Sequence, residues 1–251
     1  MKKIISFFAM LFIIVLHVNA QGSLNPANVA MRDDFSAISK YSGRQTSSQV
    51  IQTYSNNEVK GSQFFNPNWA PGNVVTSNNE TISNNYLFLF DRVRQELFIK
   101  LKDSDVVLTA DKTQIASFTL VTDKAHVFVP DTKFNKDAAG KDIRFYEVME
   151  MNDKGYCFFK YVDTKFVKSN PNDMMKIKSG DFSDEFVDNT TYYVFSPEAG
   201  LTKISLKEQS ILKAVEPSKQ DKAKAYFSAH NSEKVDENFV ANLVRVLNAK
   251  G

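Results

Sequence analysis

The sequence predicts an α+β fold: a mainly antiparallel β-meander, as a curved sheet, half-barrel or sandwich, followed by C-terminal helices. Three observations predict it. Between Lys60 and Val129 short segments rich in Val, Ile, Thr, Phe and Tyr recur, residue types that pack well on a pleated surface. Polar turns separate these segments, and connections that short join antiparallel neighbours. From Ser205 onward the apolar spacing changes from strand-like to helical, so strands come first and helices last.

Within the ladder we read strands at Ser62–Phe65, Asn73–Thr76, Tyr86–Phe90, Glu96–Leu101, Val106–Ala110, Ile115–Val121 and Ala125–Val129. The breaks are Asn66-Pro67-Asn68, Pro71-Gly72, Ser77-Asn78-Asn79, Asp103-Ser104-Asp105, Asp111-Lys112 and Thr122-Asp123-Lys124. In Glu96–Leu101, Leu97, Ile99 and Leu101 share a face, with Glu96, Phe98 and Lys100 on the other. In Ala125–Val129, Ala125, Val127 and Val129 lie opposite His126 and Phe128. Tyr86–Phe90 does not alternate, which predicts a strand covered on both faces.

Upstream, the first twenty residues have the grammar of a cleaved secretory signal. Lys2 and Lys3 precede an apolar core from Ile4 to Leu16, and Val18-Asn19-Ala20 supplies the cleavage site. No cysteine stands directly after it, so a lipoprotein anchor is not expected, and the apolar core is shorter than the ~20 residues of a membrane span. The expected address is therefore export to the periplasm or beyond, with no transmembrane span after cleavage. Loss of Lys2 and Lys3 from 31 basic residues balances the 29 acidic ones. A balanced charge gives no electrostatic case for nucleic acid or an anionic membrane surface. The expected organisation is a signal at 1–20, a segment at 21–57, a β domain at 58–204 and helices at 205–251 packed on that domain. A short amphipathic helix is expected from Ala27 to Tyr41, carrying Met31, Phe35 and Ile38, and an edge strand at Val50–Tyr54.

Downstream, the charged stretch Phe134–Asp142 reads as a loop. Ile143–Met151 and Tyr156–Lys165 then pair across Asn152-Asp153-Lys154-Gly155 as a hairpin. Lys168–Gly180 is a polar excursion. Thr190–Phe195 and Leu201–Ile204 form a second hairpin around Ser196-Pro197-Glu198-Ala199-Gly200. Ser205-Leu206-Lys207-Glu208 matches a capping box, and Pro217 is expected to end the helix it opens. Ser218-Lys219-Gln220-Asp221 opens another, with Tyr226 and Phe227 on its buried side. Asp236 caps a third, whose Phe239, Val240, Leu243, Val244 and Leu247 form an apolar stripe that must be buried.

The chain lacks most recognisable chemistry. Past the leader only His126 and His230 remain, and each reads as structural or solvent-exposed. There is no HExxH, no cysteine pair, no GxSxG elbow, no Walker loop and no dinucleotide fingerprint, so no metal or cofactor is expected. Cys157, the single cysteine, cannot form an internal disulfide and reads as a small buried hydrophobe. Glu147 and Glu150 are a visible carboxylate pair of the kind a glycosidase uses. Asp181, Asp184, Glu185 and Asp188 lack the spacing of a calcium loop and read as solvated surface. Asn79-Glu80-Thr81 and Asn189-Thr190-Thr191 fit a glycosylation acceptor incidentally. Trp69, in a turn, is expected to fold back over a sheet edge rather than to anchor a ligand.

Lys60-Gly61-Ser62-Gln63-Phe64-Phe65, then Trp69, Gly72, Asn85-Tyr86-Leu87-Phe88 and Asp91, resemble a group of secreted β-rich proteins of the Bacteroidota to which no activity is assigned. Stretches like Ser205–Val215 and Val235–Leu247 often close those chains. The likeness covers about half of this one, and Phe88-Leu89-Phe90 departs from the group's Tyr-Asn dipeptide. It implies secretion and a β-rich fold, and it transfers no functional residue. The expected function is a non-enzymatic periplasmic or envelope module that binds a ligand or serves a structural role. Its aromatic concave face would hold an apolar ligand, or an envelope protein would be its partner. The alternatives are an envelope hydrolase working through carboxylates, and an interaction protein pairing through a sheet edge.

Overall fold

A computed structural model describes residues 42–47, 59–134, 143–170 and 182–249, with residues 172, 174, 178 and 180 between the last two stretches. The expected signal, the helix at 27–41, the strand at 50–54, nearly all of the loop at 134–142 and most of the excursion after Lys168 lie outside the described residues. The described strands are β1 (Ser42–Ser47), β2 (Val59–Lys60), β3 (Gly72–Thr76), β4 (Thr81–Ile82), β5 (Tyr86–Asp91), β6 (Glu96–Leu101) and β7 (Val106–Ala110). They continue as β8 (Ile115–Val121), β9 (Ala125–Pro130), β10 (Phe145–Glu150), β11 (Cys157–Val167), β12 (Asp184–Ser196) and β13 (Gly200–Ile204). Three helices follow: α1 (Glu208–Ala214), α2 (Pro217–Ala229) and α3 (Glu237–Asn248). The fold class is α+β and mainly antiparallel, as expected.

The strands divide between two sheets, and this corrects the expectation of a single meander through Lys60–Val129. A large sheet runs β13-β12-β11-β10-β9-β8-β3-β4, with β2 added in parallel to β12. A small one runs β1-β7-β6-β5. From β8 to β13 neighbours in sequence are neighbours in space. β3, however, pairs with β8 rather than with β5, and the hairpins β5-β6-β7 leave as a separate layer. Gly72 sits where a Cβ would come within 1.9 Å of the Thr119 carbonyl oxygen, so the β3–β8 approach has no room for a side chain.

Ser62–Phe65 is not a strand. Gly61 has φ +76°, and the Ser62 hydroxyl accepts from the Phe64 N–H at 3.0 Å, a local turn that competes with extended pairing. The segment instead borders β5 intermittently. Phe65 N–H donates to Phe90 O, and Ala70 and Phe88 exchange both backbone bonds. β5 is buried on both faces, as its lack of alternation foretold. Leu89, Phe98 and Val107 lie on the outer face under Phe64 and Trp69. From the inner face Phe90 packs among Phe118, Phe128 and Phe145 of the large sheet, with ring centroids 5.1, 5.2 and 5.9 Å away. The aromatic surface expected to hold an apolar ligand is thus filled: Phe88, Phe90, Phe118, Phe128 and Phe145 are all 3% exposed or less.

The same face of the large sheet carries the helices at its other end. Phe158 and Val194 form one core with Ile211, Ala223, Phe227, Phe239, Val240, Leu243, Val244 and Leu247. Asp236 caps α3 as expected, accepting from the Phe239 N–H at 3.0 Å. Asn248, at the far end, holds both the N–H and the carbonyl of Tyr156, at 2.8 and 2.9 Å. The capping box at Ser205 does not form. A tight turn at Ser205 leaves Lys207 in the cap position without a side-chain bond, and the Ser210 hydroxyl reaches back to the Ser205 N–H. Pro217 begins α2 rather than ending α1, at the first helical position, where a missing N–H costs nothing. Among the described residues no helix is long and apolar enough to cross a membrane.

Asp91, fully buried at the end of β5, binds the two layers' connecting segments together. Its Oδ1 accepts from the N–H groups of Val93 and Arg94, and its Oδ2 from the Gln63 amide at 3.0 Å. Burial pushes its carboxyl above the ordinary value, against the pull of the Arg94 amide and guanidinium. Beside it Gln95, at φ 54°, accepts the Phe145 N–H at 2.8 Å and so pins the hairpin tip to β10. Replacing Asp91 with Ala strands those buried donors and is expected to cost about 3 kcal/mol in urea-unfolding equilibria.

Candidate functional site

Between the small sheet's cover and the helices' cover, one row of the large sheet's inner face is polar. Glu147 on β10 lies opposite Lys160 on β11, and Lys160 opposite Tyr192 on β12. On β10 the apolar residue before Glu147 is Phe145, under the small sheet; the next on that face is Met149, under α3. The row is joined to α3 by Glu237, whose Oε1 accepts from Tyr192 Oη at 2.7 Å and pairs with Lys160 Nζ at 3.0 Å. On the other side Glu147 Oε1 meets His126 Nδ1 at 2.7 Å, and His126 Nε2 meets Asp123 at 3.2 Å. The Phe65 ring stands edge-on to this imidazole, 4.8 Å between centroids.

A cleft of about 290 Å³ opens beside this row. Lys124, Ala125, Glu147, Val148 and Met149 line it from the sheet, and Asn238, Ala241, Asn242 and Arg245 from α3. Glu147 is only 9% exposed. Asn238, Asn242 and Arg245 are the polar side of the same amphipathic pattern that buries Ala241, Leu243 and Leu247. Arg245 Nε bonds Glu150 at 2.7 Å, and its Nη1 donates to Asn242 Oδ1 at 2.9 Å.

A β-bulge puts Glu147 and Glu150 on one face. Three residues apart, they would face opposite sides of a regular strand. The register steps from Val148↔Phe159 to Glu150↔Phe158, so Met149 and Glu150 both stand against Phe158. The extra residue turns Glu150 to the helix side, where Arg245 meets it. The two carboxylates noticed in the sequence thus share a face, each bonded to a basic side chain, and Glu147 alone of them lines the cleft.

The other sequence candidates lie elsewhere. His230 caps α2, bonding Glu233 at 2.7 Å and stacking near Tyr226. Cys157 is 1% exposed, its thiol bonded to the Asn152 carbonyl and pushed up by burial. Trp69 folds back on the small sheet: its segment bridges to the edge strand β5 and its ring packs on the outer face, with Lys100 Nζ 5.0 Å above it. Asn79 occupies an exposed hairpin turn, Asn189 an exposed position in β12. The acidic stretch is not simply solvated, because it belongs to a strand that starts earlier than expected. Asp184 is 6% exposed and accepts the Ser169 N–H at 2.7 Å. Asp188 accepts from Thr164 Oγ1 and Arg92 Nη1, at 2.6 and 2.7 Å. Asp181 is outside the described residues. Among the described residues no group of three or more His, Cys, Asp and Glu is placed to hold a metal ion.

Lys124, Lys160, Tyr192, Glu237, Asn238, Asn242 and Arg245 were not singled out from the sequence. Charged residues inside otherwise apolar strands, as Glu147 and Lys160 are, were the available signal. No protein-family model, no curated protein and no solved structure matches the chain.

Burial, reinforced by Glu237, raises Tyr192 to about 12 from an ordinary 10.0. Burial raises Tyr156 equally. The unfolded chain gives up these protons first as pH climbs past 10, so their stabilisation is complete below 10 and lost through about 12. Unfolding free energy measured across that interval is expected to fall with pH, and more gently in Tyr192→Phe.

Proposed function

We propose that the chain is an exported, non-catalytic binding module, periplasmic or extracellular, that takes a small polar ligand in the cleft between β10 and α3. The observation that carries this reading is Glu147. A carboxylate 9% exposed lines the cleft, with one oxygen held by His126 and the other without a described hydrogen-bond partner. A nearly buried carboxylate is expensive unless its remaining lone pairs are satisfied, by water in the free protein and by donors of a ligand in a complex.

The filled aromatic core moves this proposal from the apolar ligand to a polar one. Export rests on the leader-like first twenty residues. An envelope protein as partner stays part of the same proposal only as a source of such a polar group.

The second reading, hydrolysis of an envelope polymer, is favoured by one observation: the bulge that sets Glu147 and Glu150 on one face. Against it, each carboxylate is already bonded to a basic side chain, an arrangement that makes ion pairs rather than a proton donor for a leaving group. Both His126 ring nitrogens also face carboxylates, which leaves none to activate a nucleophile.

Native mass spectrometry of the chain purified from its source is expected to reveal a bound small polar molecule, absent from Asn242→Trp, whose side chain fills the cleft. The same mass retained in that variant would place the ligand elsewhere. Turnover of polysaccharide or peptide that Glu147→Gln abolishes would replace the binding reading with the hydrolytic one.

A further inference from the structure

The ligand's chemical class follows from which charged atoms at the cleft are left without protein partners. This step rests on the reading of the cleft as a ligand site. At the floor Glu147 Oε2 accepts nothing from the described residues. At the rim Arg245 has spent Nε on Glu150 and Nη1 on Asn242, while Nη2 has no described partner. Lys124, exposed on the β8–β9 turn, has no described partner for its ammonium group. Unused valences are therefore one oxygen of the nearly buried Glu147 carboxylate and, outside it, two cationic donors.

We infer that the cleft takes a small zwitterion of the free amino acid class, its ammonium group on Glu147 and its carboxylate at Arg245 and Lys124. A bare cation would meet Arg245 and Lys124 on entry, and a bare anion would meet Glu147 at the floor. A molecule carrying both charges satisfies each with charge-assisted bonds, and the order of the charges fixes its direction: ammonium inward, carboxylate outward. The size agrees. The cleft's volume of about 290 Å³ is room for a small molecule and not for a polymer. Asn238 and Asn242, one helical turn apart on α3, supply amides along the same wall.

Isothermal titration calorimetry of the full chain tests this with free amino acids, their N-acetyl and carboxamide derivatives, and glucose. At least one free amino acid is expected to bind, and either modification to weaken it about tenfold or more, the scale of one lost charge-assisted contact. Glu147→Gln should weaken the free amino acid by a similar factor and leave the N-acetyl form unchanged. Arg245→Gln should do the converse for the carboxamide. Thermal melts confirm that each variant is folded. Absence of binding by every amino acid, or derivatives binding as tightly as their parents, overturns the zwitterion. Glucose or a derivative binding in its place, and lost in Asn242→Trp, overturns the class but keeps the cleft as a site. Binding that neither Asn242→Trp nor Glu147→Gln disturbs overturns the cleft reading itself.

Discussion

One face of the large sheet has to be shared by two covers. The small sheet presses Phe90 onto Phe118, Phe128 and Phe145, and the helices press Leu243, Val244 and Leu247 towards Phe158 and Val194. A layer of β-strands and a layer of helices do not present the same surface, and neither can reach across the other. Between them remains a row of sheet positions that no apolar side chain covers. Backbone there is satisfied by the ladder, but side chains must be polar and must find partners within the seam. Glu147, Lys160 and Tyr192 occupy that row, and each is bonded to something that belongs to a cover or a rim: His126, Glu237 and Glu237 again. The candidate site is where the architecture stops being able to exclude water.

That view explains what the sequence made legible. Strand existence depends on local grammar, so β6, β7 and β8 could be bounded from alternation and turn residues alone. The α3 stripe and its Asp236 cap were equally plain, because helix burial and capping repeat over a few residues. Sheet membership is not local. β3 turns from β5 to β8, across a chain separation that no periodicity encodes. The clue in the sequence was Gly72, needed where the Thr119 carbonyl comes too close for a side chain. The failed strand at Ser62–Phe65 has the right residue types and the wrong backbone. Gly61 turns the chain into the left-handed region, and the Ser62 hydroxyl then captures an amide that a strand would have used.

The site was less legible than the fold, for a reason of the same kind. Glu147 and Glu150 are visible as acids, but whether they face together depends on one unpaired residue. Without the bulge, Glu150 would join Val148 on the opposite face, the one that carries Phe159 and Tyr161, where Arg245 could not reach it. Met149 needs no bulge, since a period of two already sets it on Glu147's face beside the helix-side core. A strict period of two cannot bring Glu150 to that face as well, within reach of Arg245. The extra residue does so, at the expense of one ladder position. The lining residues on α3 follow from this arrangement: burial of Phe239, Leu243 and Leu247 fixes the helix's rotation, and that rotation alone turns Asn238, Asn242 and Arg245 toward Glu147. The cleft's polar wall is thus the by-product of an apolar stripe, which is why the stripe was readable in the sequence and the wall was not.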